Sequence, residues 1–192
     1  MNFIKCWVLL LFICLTSNSV LAQDSPDHDP KFKKTVEGIG NIAQFIPTAA
    51  SIAALFIFKD KKGAWQFAKA FTVDLATTYA LKYIINKPRP EGATDGHAFP
   101  SGHVAFAFQG ASFLQRRYGW KYGIPAYIVS GFVTYSRLDG YNDRHDGWDV
   151  LAGAVVGVGS TYLFTTPYEK KHLELSFNER NDSYLLGLEF KF

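Results

Sequence analysis

The amino-acid sequence predicts an all-α protein, a bundle of about five to six helices followed by a short C-terminal β-hairpin. Two observations lead to this fold class. Long apolar runs are separated by Gly, Pro and charged clusters, which is typical of helices joined by short loops. The tail, residues 168–192, changes to the alternation of apolar and polar residues that is typical of strands. With 192 residues, the chain is long enough for one domain with a hydrophobic core.

The composition narrows the classes of function. The net charge is only +3, and no cluster of Lys and Arg is interleaved with aromatic residues, so we expect no nucleic-acid partner. Hydrophobic residues make up 48% of the chain and aromatic residues 16%, which favours membrane association. The mean hydropathy of -0.01 is nevertheless low for a protein made only of membrane spans.

The first 22 residues predict a secretory signal peptide. Lys5 supplies its positive start, an apolar stretch follows, and Ala22 ends a small-residue cleavage site. Both cysteines, Cys6 and Cys14, lie in this segment, so the mature chain would contain no disulfide. We therefore expect a protein exported to the bacterial cell envelope, and an uncleaved N-terminal anchor is the alternative.

Residues 23–37 are polar, contain Pro and lack periodicity, which predicts a linker. The domain that follows, placed at residues 38–167, contains five helical segments. Their approximate bounds are 39–58, 64–85, 101–118, 122–135 and 149–164, and Asp149 is expected to be the N-cap of the last. Only the first approaches the about 20 apolar residues that a membrane span needs. A bundle beside the membrane and a bundle partly embedded in it are both open.

Residues 168–192 predict the β-hairpin. Leu173, Leu175 and Phe177 alternate with polar residues, and a second alternating run ends at Phe192. Because an isolated two-stranded hairpin is marginally stable in water, this tail must pack on another surface.

Three short segments contain the residues best suited to chemistry: KYIINKPRP, FPSGH and SRLDGYNDRHDGWDV. Lys82, Arg89 and Arg137 supply positive charge, and Arg can bind two oxygens of a tetrahedral anion at once. Ser101 and Gly102 stand where a helix begins, so free backbone N–H groups and the helix dipole favour an anion there. Together these residues predict a cage for an oxyanion such as phosphate.

Two histidines complete the pattern. Asp149 follows His145 by four residues, so its carboxylate can hold one ring nitrogen and leave the other unprotonated as a nucleophile. His103, at the helix start, is placed to donate a proton to the departing oxygen. Such a transfer through a phosphohistidine needs no metal, because the cage supplies the positive charge.

The three segments resemble the motifs of the type 2 phosphatidic acid phosphatase (PAP2) superfamily, which also contains bacterial acid phosphatases and vanadium haloperoxidases. The family pattern is Lys-x6-Arg-Pro, Pro-Ser-Gly-His and Ser-Arg-x5-His-x3-Asp, and the first two motifs are intact here. The third departs from the pattern, since seven residues rather than five separate Arg137 from His145. The added pair falls in the loop LDGYNDR, where extra length is tolerated.

The resemblance spans residues 64–164 and implies a helical bundle with the site at one end. It implies that His145 attacks phosphorus, that Asp149 orients His145, and that His103 is the general acid. By the same resemblance, phosphate is bound by Lys82, Arg89, Ser101, Gly102, His103 and Arg137, without a metal or other cofactor.

We therefore expect a metal-independent hydrolase of a phosphate monoester or diphosphate. Its expected substrate is lipid-linked, such as an isoprenyl diphosphate, phosphatidate or phosphatidylglycerophosphate, and its site faces the periplasm. The alternative is a soluble periplasmic acid phosphatase. A vanadium haloperoxidase, with vanadate as its cofactor, and a non-catalytic envelope scaffold are less favoured. In the simpler structural interpretation, Lys82 complements a helix dipole and Asp149 only caps a helix. The oligomeric state is open.

Overall fold

The computed structural model of the protein describes residues 29–89, 96–142 and 145–168, and the backbone of residues 173–180 and 183–190. Six helices form the described helical part: α1 (Pro30–Ala43), α2 (Phe45–Ile57), α3 (Lys61–Ile85), α4 (Gly102–Tyr118), α5 (Trp120–Leu138) and α6 (Gly147–Phe164). The prediction of a bundle of five to six helices is confirmed. The predicted signal peptide, with Cys6 and Cys14, lies outside the described residues.

The first helix begins earlier than predicted. The Asp29 side chain caps α1 by accepting a hydrogen bond from the backbone N–H of Lys31 at 3.0 Å. Pro30 occupies the first turn, where its missing N–H is not needed. The linker predicted at residues 23–37 is therefore wrong from Pro30 onwards, because that part of it is helical.

The single helix predicted at residues 39–58 is divided in the structure. α1 ends at Ala43, Gln44 stands between the two helices, and α2 begins at Phe45. Pro47 accounts for the division, because it has no backbone N–H to donate to the carbonyl oxygen four residues earlier.

The central helix of the bundle is α4. It packs against α2, α3, α5 and α6, and Ala107, Ala111 and Phe113 on it are fully buried. Small side chains on α4 let the neighbouring helices approach its backbone closely.

Glycines bring two neighbours into contact with α4. A Cβ atom added to Gly157 of α6 would lie 2.3 Å from the carbonyl oxygen of Ala105. A Cβ added to Gly110 of α4 would lie 2.5 Å from the backbone nitrogen of Thr48 on α2. Any side chain at these positions would push the helices apart, so the glycines fix the spacing of the elements that hold the site.

The N-terminus of α6 is capped by Asp146, whose side chain accepts from the backbone N–H groups of Trp148 and Asp149 at 2.9 and 3.0 Å. Asp149 occupies the third helical position, and its carboxylate accepts from the Asp146 backbone N–H at 3.2 Å. This reciprocal pair is a capping box. The prediction that Asp149 is itself the N-cap is therefore wrong.

A buried ion pair closes the opposite end of the bundle, where α6 ends. Arg117 donates through Nε and Nη2 to the two carboxylate oxygens of Asp60, at 2.6 and 2.7 Å. Through Nη1 it also donates to the carbonyl oxygens of Thr166 and Pro167, both at 2.9 Å. One guanidinium thus joins the start of α3 to the segment that follows α6.

The tail contains two antiparallel strands, β1 (Leu173–Arg180) and β2 (Ser183–Phe190), with Leu175 opposite Leu188. The side chains of these strands lie outside the described residues. The packing of the tail on another surface stays a prediction.

Within the residues that the structure describes, two helical stretches are long and apolar enough to cross a membrane, by length and composition. They are Pro30–Ile57, which comprises α1 and α2, and Gly147–Phe164, which is α6. Both expose large apolar side chains, including Phe56 at 77% and Leu163 at 73%. Apolar faces of this kind suit an apolar environment better than water.

Candidate active site

Two backbone hydrogen bonds gather the sequence motifs at one end of the bundle. The N–H of Ala98 donates to the carbonyl oxygen of Lys87 at 2.8 Å, which holds the segment before α4 against the segment after α3. The N–H of Ser101 donates to the carbonyl oxygen of Asp149 at 2.9 Å, which joins the start of α4 to the start of α6. Residues far apart in sequence therefore surround one space.

That space is a cavity of about 390 Å³, the active-site cavity, between α3, α4 and the segment before α6. The predicted site residues among those lining it are Lys82, Arg89, Gly102, His103 and His145. Asp74 and Thr78 of α3, which the sequence analysis did not single out, line its deeper part.

His145 is buried, with an exposed fraction of 2%, and its two ring nitrogens face different partners. Nε2 lies 3.2 Å from Nη1 of Arg89. Because a guanidinium has no acceptor, this contact requires an unprotonated Nε2 and places the ring proton on Nδ1. Nδ1 lies 3.6 Å from Oδ2 of Asp149. That separation exceeds a formed hydrogen bond, as is common at catalytic pairs before substrate binds.

Asp149 is held in place by a residue that the sequence analysis missed. Lys87 Nζ donates to Asp149 Oδ1 at 2.7 Å, and the same ammonium forms an ion pair with Asp146. Burial alone would lower the pKa of Lys87, but the hydrogen bonds to Asp146 and Asp149 raise it above its ordinary value. Lys87 therefore keeps its charge and fixes the carboxylate that faces His145. Its place inside the first motif, two residues before Arg89, was the available signal.

Burial and the positive charges around the cavity lower the pKa of both histidines. Burial lowers the pKa of His145, as do Arg89 and Lys82, against the opposing effect of Asp149. Burial, together with Arg137, His145, Arg89 and Lys82, lowers the pKa of His103 to about 3. At neutral pH both rings are therefore neutral in the absence of a bound anion.

Lys82 is fixed by a reciprocal contact with His97. Its Nζ donates to the His97 carbonyl oxygen at 2.7 Å, and Nδ1 of His97 lies 3.0 Å from the Lys82 carbonyl oxygen. His97 has a φ of 60°, in the left-handed region, so the loop turns sharply at this contact. Burial and the charge of Arg89 lower the pKa of Lys82 to about 8, against the opposing effect of Asp149.

Ser101 and Gly102 begin α4 as predicted, but their backbone groups differ in availability. The N–H of Ser101 is used by the Asp149 carbonyl oxygen, so the expectation that it is free for an anion is wrong. The Ser101 hydroxyl is fully buried, has no hydrogen-bond partner among the described residues, and does not cap the helix. Gly102 lines the active-site cavity.

Arg137 stands apart from the other predicted ligands. It is fully buried and donates to Asn41 Oδ1 at 3.0 Å and to the Glu37 carbonyl oxygen at 2.9 Å, both on α1. It does not line the active-site cavity, although its charge acts on His103. Its role as a phosphate ligand stays a prediction.

The loop after α5 returns to the site through two contacts. The backbone N–H of His145 donates to the Arg137 carbonyl oxygen at 2.9 Å. Earlier in the loop, Oε2 of Glu37 accepts from the backbone N–H groups of Tyr141 and Asn142 at 2.7 and 2.8 Å. Glu37 is buried and was missed by the sequence analysis, because α1 was expected to be linker at this position.

Comparison with known proteins gives the family. The sequence model of the PAP2 superfamily matches residues 63–172. The chain is 30% identical over 146 residues to the lipid A 4'-phosphatase of Helicobacter pylori strain J99, an alignment that covers 71% of this chain and 72% of that protein. It is 31% identical to the lipid A 1-phosphatase of Helicobacter pylori strain 26695, covering 65% and 68%. The lipid A 1-phosphatase of Porphyromonas gingivalis is 33% identical, covering 62% of this chain and 28% of that longer protein.

Solved structures show the same fold. The alignment with the crystal structure of Aquifex aeolicus LpxE covers 73% of this chain and 87% of that protein, with a TM-score of 0.55 and 20% identity. The alignment with the crystal structure of a transmembrane PAP2-type phosphatidylglycerolphosphate phosphatase from Bacillus subtilis covers 84% of this chain and 92% of that protein, with a TM-score of 0.57 and 21% identity. The motif resemblance is thus confirmed. Since the family's sequence model extends over more than half of the chain, this protein belongs to the PAP2 superfamily and is a phosphoric ester hydrolase of that type.

Proposed function

We propose that this protein removes phosphate from a phosphorylated lipid, with lipid A as the substrate, through a phosphohistidine intermediate. The identity of 30–33% to lipid A 4'- and 1-phosphatases supports the substrate. The exposed apolar faces of α2 and α6 favour a lipid-linked substrate over the water-soluble ester that a soluble acid phosphatase would use.

His145 is the nucleophile in this proposal. The position of the two ring nitrogens supports this role. The His145 ring lines the cavity, its Nε2 faces Arg89, and its Nδ1 faces Asp149. Nε2 attacks phosphorus, and the bond between phosphorus and the leaving oxygen breaks. The positive charge that develops on the ring is stabilised by Asp149 through Nδ1.

His103 is the general acid in the same step. A bound phosphate dianion offsets the charges of Lys82, Arg89 and Arg137, which together with burial keep the His103 pKa low. The ring therefore takes up a proton when the substrate binds. It then donates that proton to the leaving oxygen as the oxygen departs.

Hydrolysis of the intermediate completes the cycle. Neutral His103 accepts a proton from water, the resulting hydroxide attacks phosphorus, and the phosphorus–nitrogen bond to His145 breaks. Inorganic phosphate leaves, His103 releases the proton taken from water to the solvent, and both histidines are neutral again. Lys82, Arg89 and the N-terminus of α4 stabilise the phosphoryl oxygens in both steps. We therefore propose a reaction that proceeds without a metal ion.

The proposed setting is a membrane, with the active-site end of the bundle at the periplasmic surface. α6 has 18 residues and is about 27 Å long, close to the thickness of the hydrocarbon layer. Trp148 and Trp120 are exposed at the starts of α6 and α5, which lie at opposite ends of the bundle. Exposed indoles at both ends suit the two membrane–water interfaces.

The test is phosphate release by the protein in detergent micelles with EDTA present. Lipid A, phosphatidate and a water-soluble aryl phosphate are compared for the wild type, for His145→Ala and for His172→Ala. His172 is a matched control, because it is a histidine outside the three motifs. We expect release from lipid A by the wild type and His172→Ala, and loss of more than about a thousandfold in His145→Ala.

A second readout tests the intermediate. Wild-type protein quenched during turnover of ³²P-labelled lipid A should hold a phosphoryl group that is stable in base and labile in acid. Undiminished release by His145→Ala would reject the nucleophile. Preference for the aryl phosphate over every lipid would instead support the soluble type of activity.

A further inference from the structure

The deeper part of the active-site cavity contains a polar pair that the phosphoryl chemistry does not use. Asp74 and Thr78 of α3 are 1% and 4% exposed, and both line the cavity. The Oδ1 atom of Asp74 and the hydroxyl of Thr78 have no hydrogen-bond partner within the described part of the chain. A buried polar atom without a partner is unfavourable, so a ligand that supplies one is stabilised there.

Asp74 and Thr78 lie on the same face of α3 as Lys82, which stands at the phosphate-binding end of the cavity. Asp74, Thr78 and Lys82 are spaced four residues apart, so they form one stripe along the face of α3 that lines the cavity. With a rise of about 1.5 Å per residue, Thr78 lies about 6 Å and Asp74 about 12 Å below Lys82 along the helix axis. The cavity therefore extends from a cationic end to an oxygen-lined end.

The opposite wall marks where the cavity closes. Phe106 lines the cavity from α4, and its ring packs against Phe71 of α3 and Phe45 of α2, with centroids 5.4 Å apart in both pairs. Phe71 precedes Asp74 by almost one helical turn. This end is therefore largely apolar, and its polar side chains are Asp74, Thr78 and Gln44, the residue before Phe45. Gln44 already donates to the Asn41 carbonyl oxygen at 2.9 Å, whereas Asp74 Oδ1 and the Thr78 hydroxyl have no partner among the described residues and can take one from a ligand.

The charges decide which ligand group fits. A second phosphate at the deep end would be placed against the carboxyl group of Asp74. A cationic group would have to pass Lys82 and Arg89 at the other end. A neutral hydrogen-bond donor, such as a hydroxyl or amide N–H, meets neither obstacle and satisfies both unpartnered oxygens.

We infer that Asp74 and Thr78 form a subsite for the hydroxyl or amide N–H donors of a sugar on the leaving-group side of the phosphate. The inference rests on the proposed function and deepens it, because it identifies the residues that select a phosphorylated sugar lipid over phosphatidate, a diacylglycerol phosphate. Phosphate is held near His145 and His103, and the sugar extends towards Asp74. The subsite therefore also orients the scissile bond.

The experiment measures selectivity, the ratio of kcat/KM for lipid A to kcat/KM for phosphatidate, whose leaving group has no hydroxyl or amide donor. Asp74→Asn replaces one carboxylate oxygen by an amide NH₂ group, and Thr78→Val replaces the hydroxyl by a methyl group, so each removes one hydrogen-bond acceptor with little change of volume. Thr48→Val is the matched control: Thr48 is also buried and its hydroxyl also lacks a partner in the described part of the chain, but it does not line the cavity. Because both substrates are measured on one preparation, the ratio does not depend on the fraction of folded protein.

The expected result is a fall of about tenfold in the ratio for Thr78→Val and Asp74→Asn, because kcat/KM falls more for lipid A than for phosphatidate. Thr48→Val should keep the wild-type ratio. Equal losses on both substrates, or an unchanged ratio, would overturn the subsite while leaving the lipid phosphatase in place. Wild-type protein that releases phosphate from neither lipid would reject the proposed function itself, and the subsite with it.

Discussion

The backbone N–H of His145 donates to the carbonyl oxygen of Arg137 at 2.9 Å, although seven residues lie between them. The two ends of the loop are thus held together, and the two residues added relative to the family pattern are accommodated between them. Lengthening a closed loop has a small free-energy cost. The departure from the third motif therefore changes the loop and leaves His145 beside Arg89 and Asp149.

The contact of Glu37 with this loop predicts a distant effect on activity. Glu37→Ala removes the carboxylate that accepts from the N–H groups of Tyr141 and Asn142, and charge-assisted bonds of this kind contribute about 1.5–3 kcal/mol each. We expect kcat/KM to fall at least about tenfold, because the loop that ends at His145 loses its anchor. Steady-state kinetics of Glu37→Ala beside Glu37→Gln, which keeps an acceptor oxygen, checks this. Wild-type kinetics in both variants would show that the anchor does not position His145.

The low pKa of Lys82 predicts an alkaline limit to activity. Burial and Arg89 lower this pKa to about 8, so the ammonium is charged below that pH and loses its charge as the pH rises through it. Since the charged form binds phosphate, kcat/KM should fall above about pH 8. Bound phosphate favours the charged form, so the corresponding limb in kcat should lie at higher pH.

Lys82→Arg is the control for this assignment, because arginine stays charged throughout the range measured. Its kcat/KM can be lower overall, but the alkaline limb near pH 8 should disappear. An identical limb in the wild type and in Lys82→Arg would assign the titration to another group.

The sequence was sufficient to predict the helical bundle and the cationic, glycine and histidine residues that line the cavity. Lys82, Arg89, Gly102, His103 and His145 stand at motif positions where helices begin or end, and helix ends that meet at one pole of a bundle bring such residues together. Local spacing was therefore sufficient to predict that these five residues lie around one cavity.

Residues whose roles depend on contacts between distant segments were not predictable in this way. Arg137 is buried against Asn41 and Glu37, about a hundred residues earlier in the chain. No local sequence pattern predicts such a long-range contact. Lys87 reaches Asp149 across the bundle for the same reason. Asp146 and Asp149 both fit a helix start, and only the capping box in the structure shows which one is the cap.

The close approach of α6 to α4 predicts opposite effects for two glycines on one helix. A Cβ on Gly157 would lie 2.3 Å from the Ala105 carbonyl oxygen, whereas no atom of another described helix lies within 4 Å of a Cβ on Gly159. Gly157→Ala should lower the free energy of unfolding by about 1–3 kcal/mol, because overpacking moves backbone. Gly159→Ala should leave it unchanged or raise it by about 0.5–1 kcal/mol, since alanine favours the helix. Thermal unfolding in detergent compares them, and equal midpoints would contradict the close helix contact.

The ion pair at the far end of the bundle predicts a large loss of stability without a loss of chemistry. Burial alone would raise the pKa of Asp60, but the hydrogen bonds and charge of Arg117 hold that pKa below its ordinary value. The carboxylate is therefore ionised at neutral pH. Arg117→Ala leaves it buried without its partner, and a change of this kind costs about 3–5 kcal/mol.

Arg116→Ala is the matched control, because Arg116 is the neighbouring residue. Within the described residues it makes one hydrogen bond, to the Thr165 carbonyl oxygen at 3.2 Å, and one ring contact, to Tyr162. We expect this variant to lose about 1 kcal/mol. Chemical denaturation of the two variants gives the difference, and kcat per folded molecule should stay at the wild-type value in both, since the pair lies at the end of the bundle away from His145. Arg117→Ala with the stability of Arg116→Ala would mean that Asp60 is satisfied by the Gly63 N–H and the Tyr118 hydroxyl, which lie 2.8 and 3.1 Å from its oxygens.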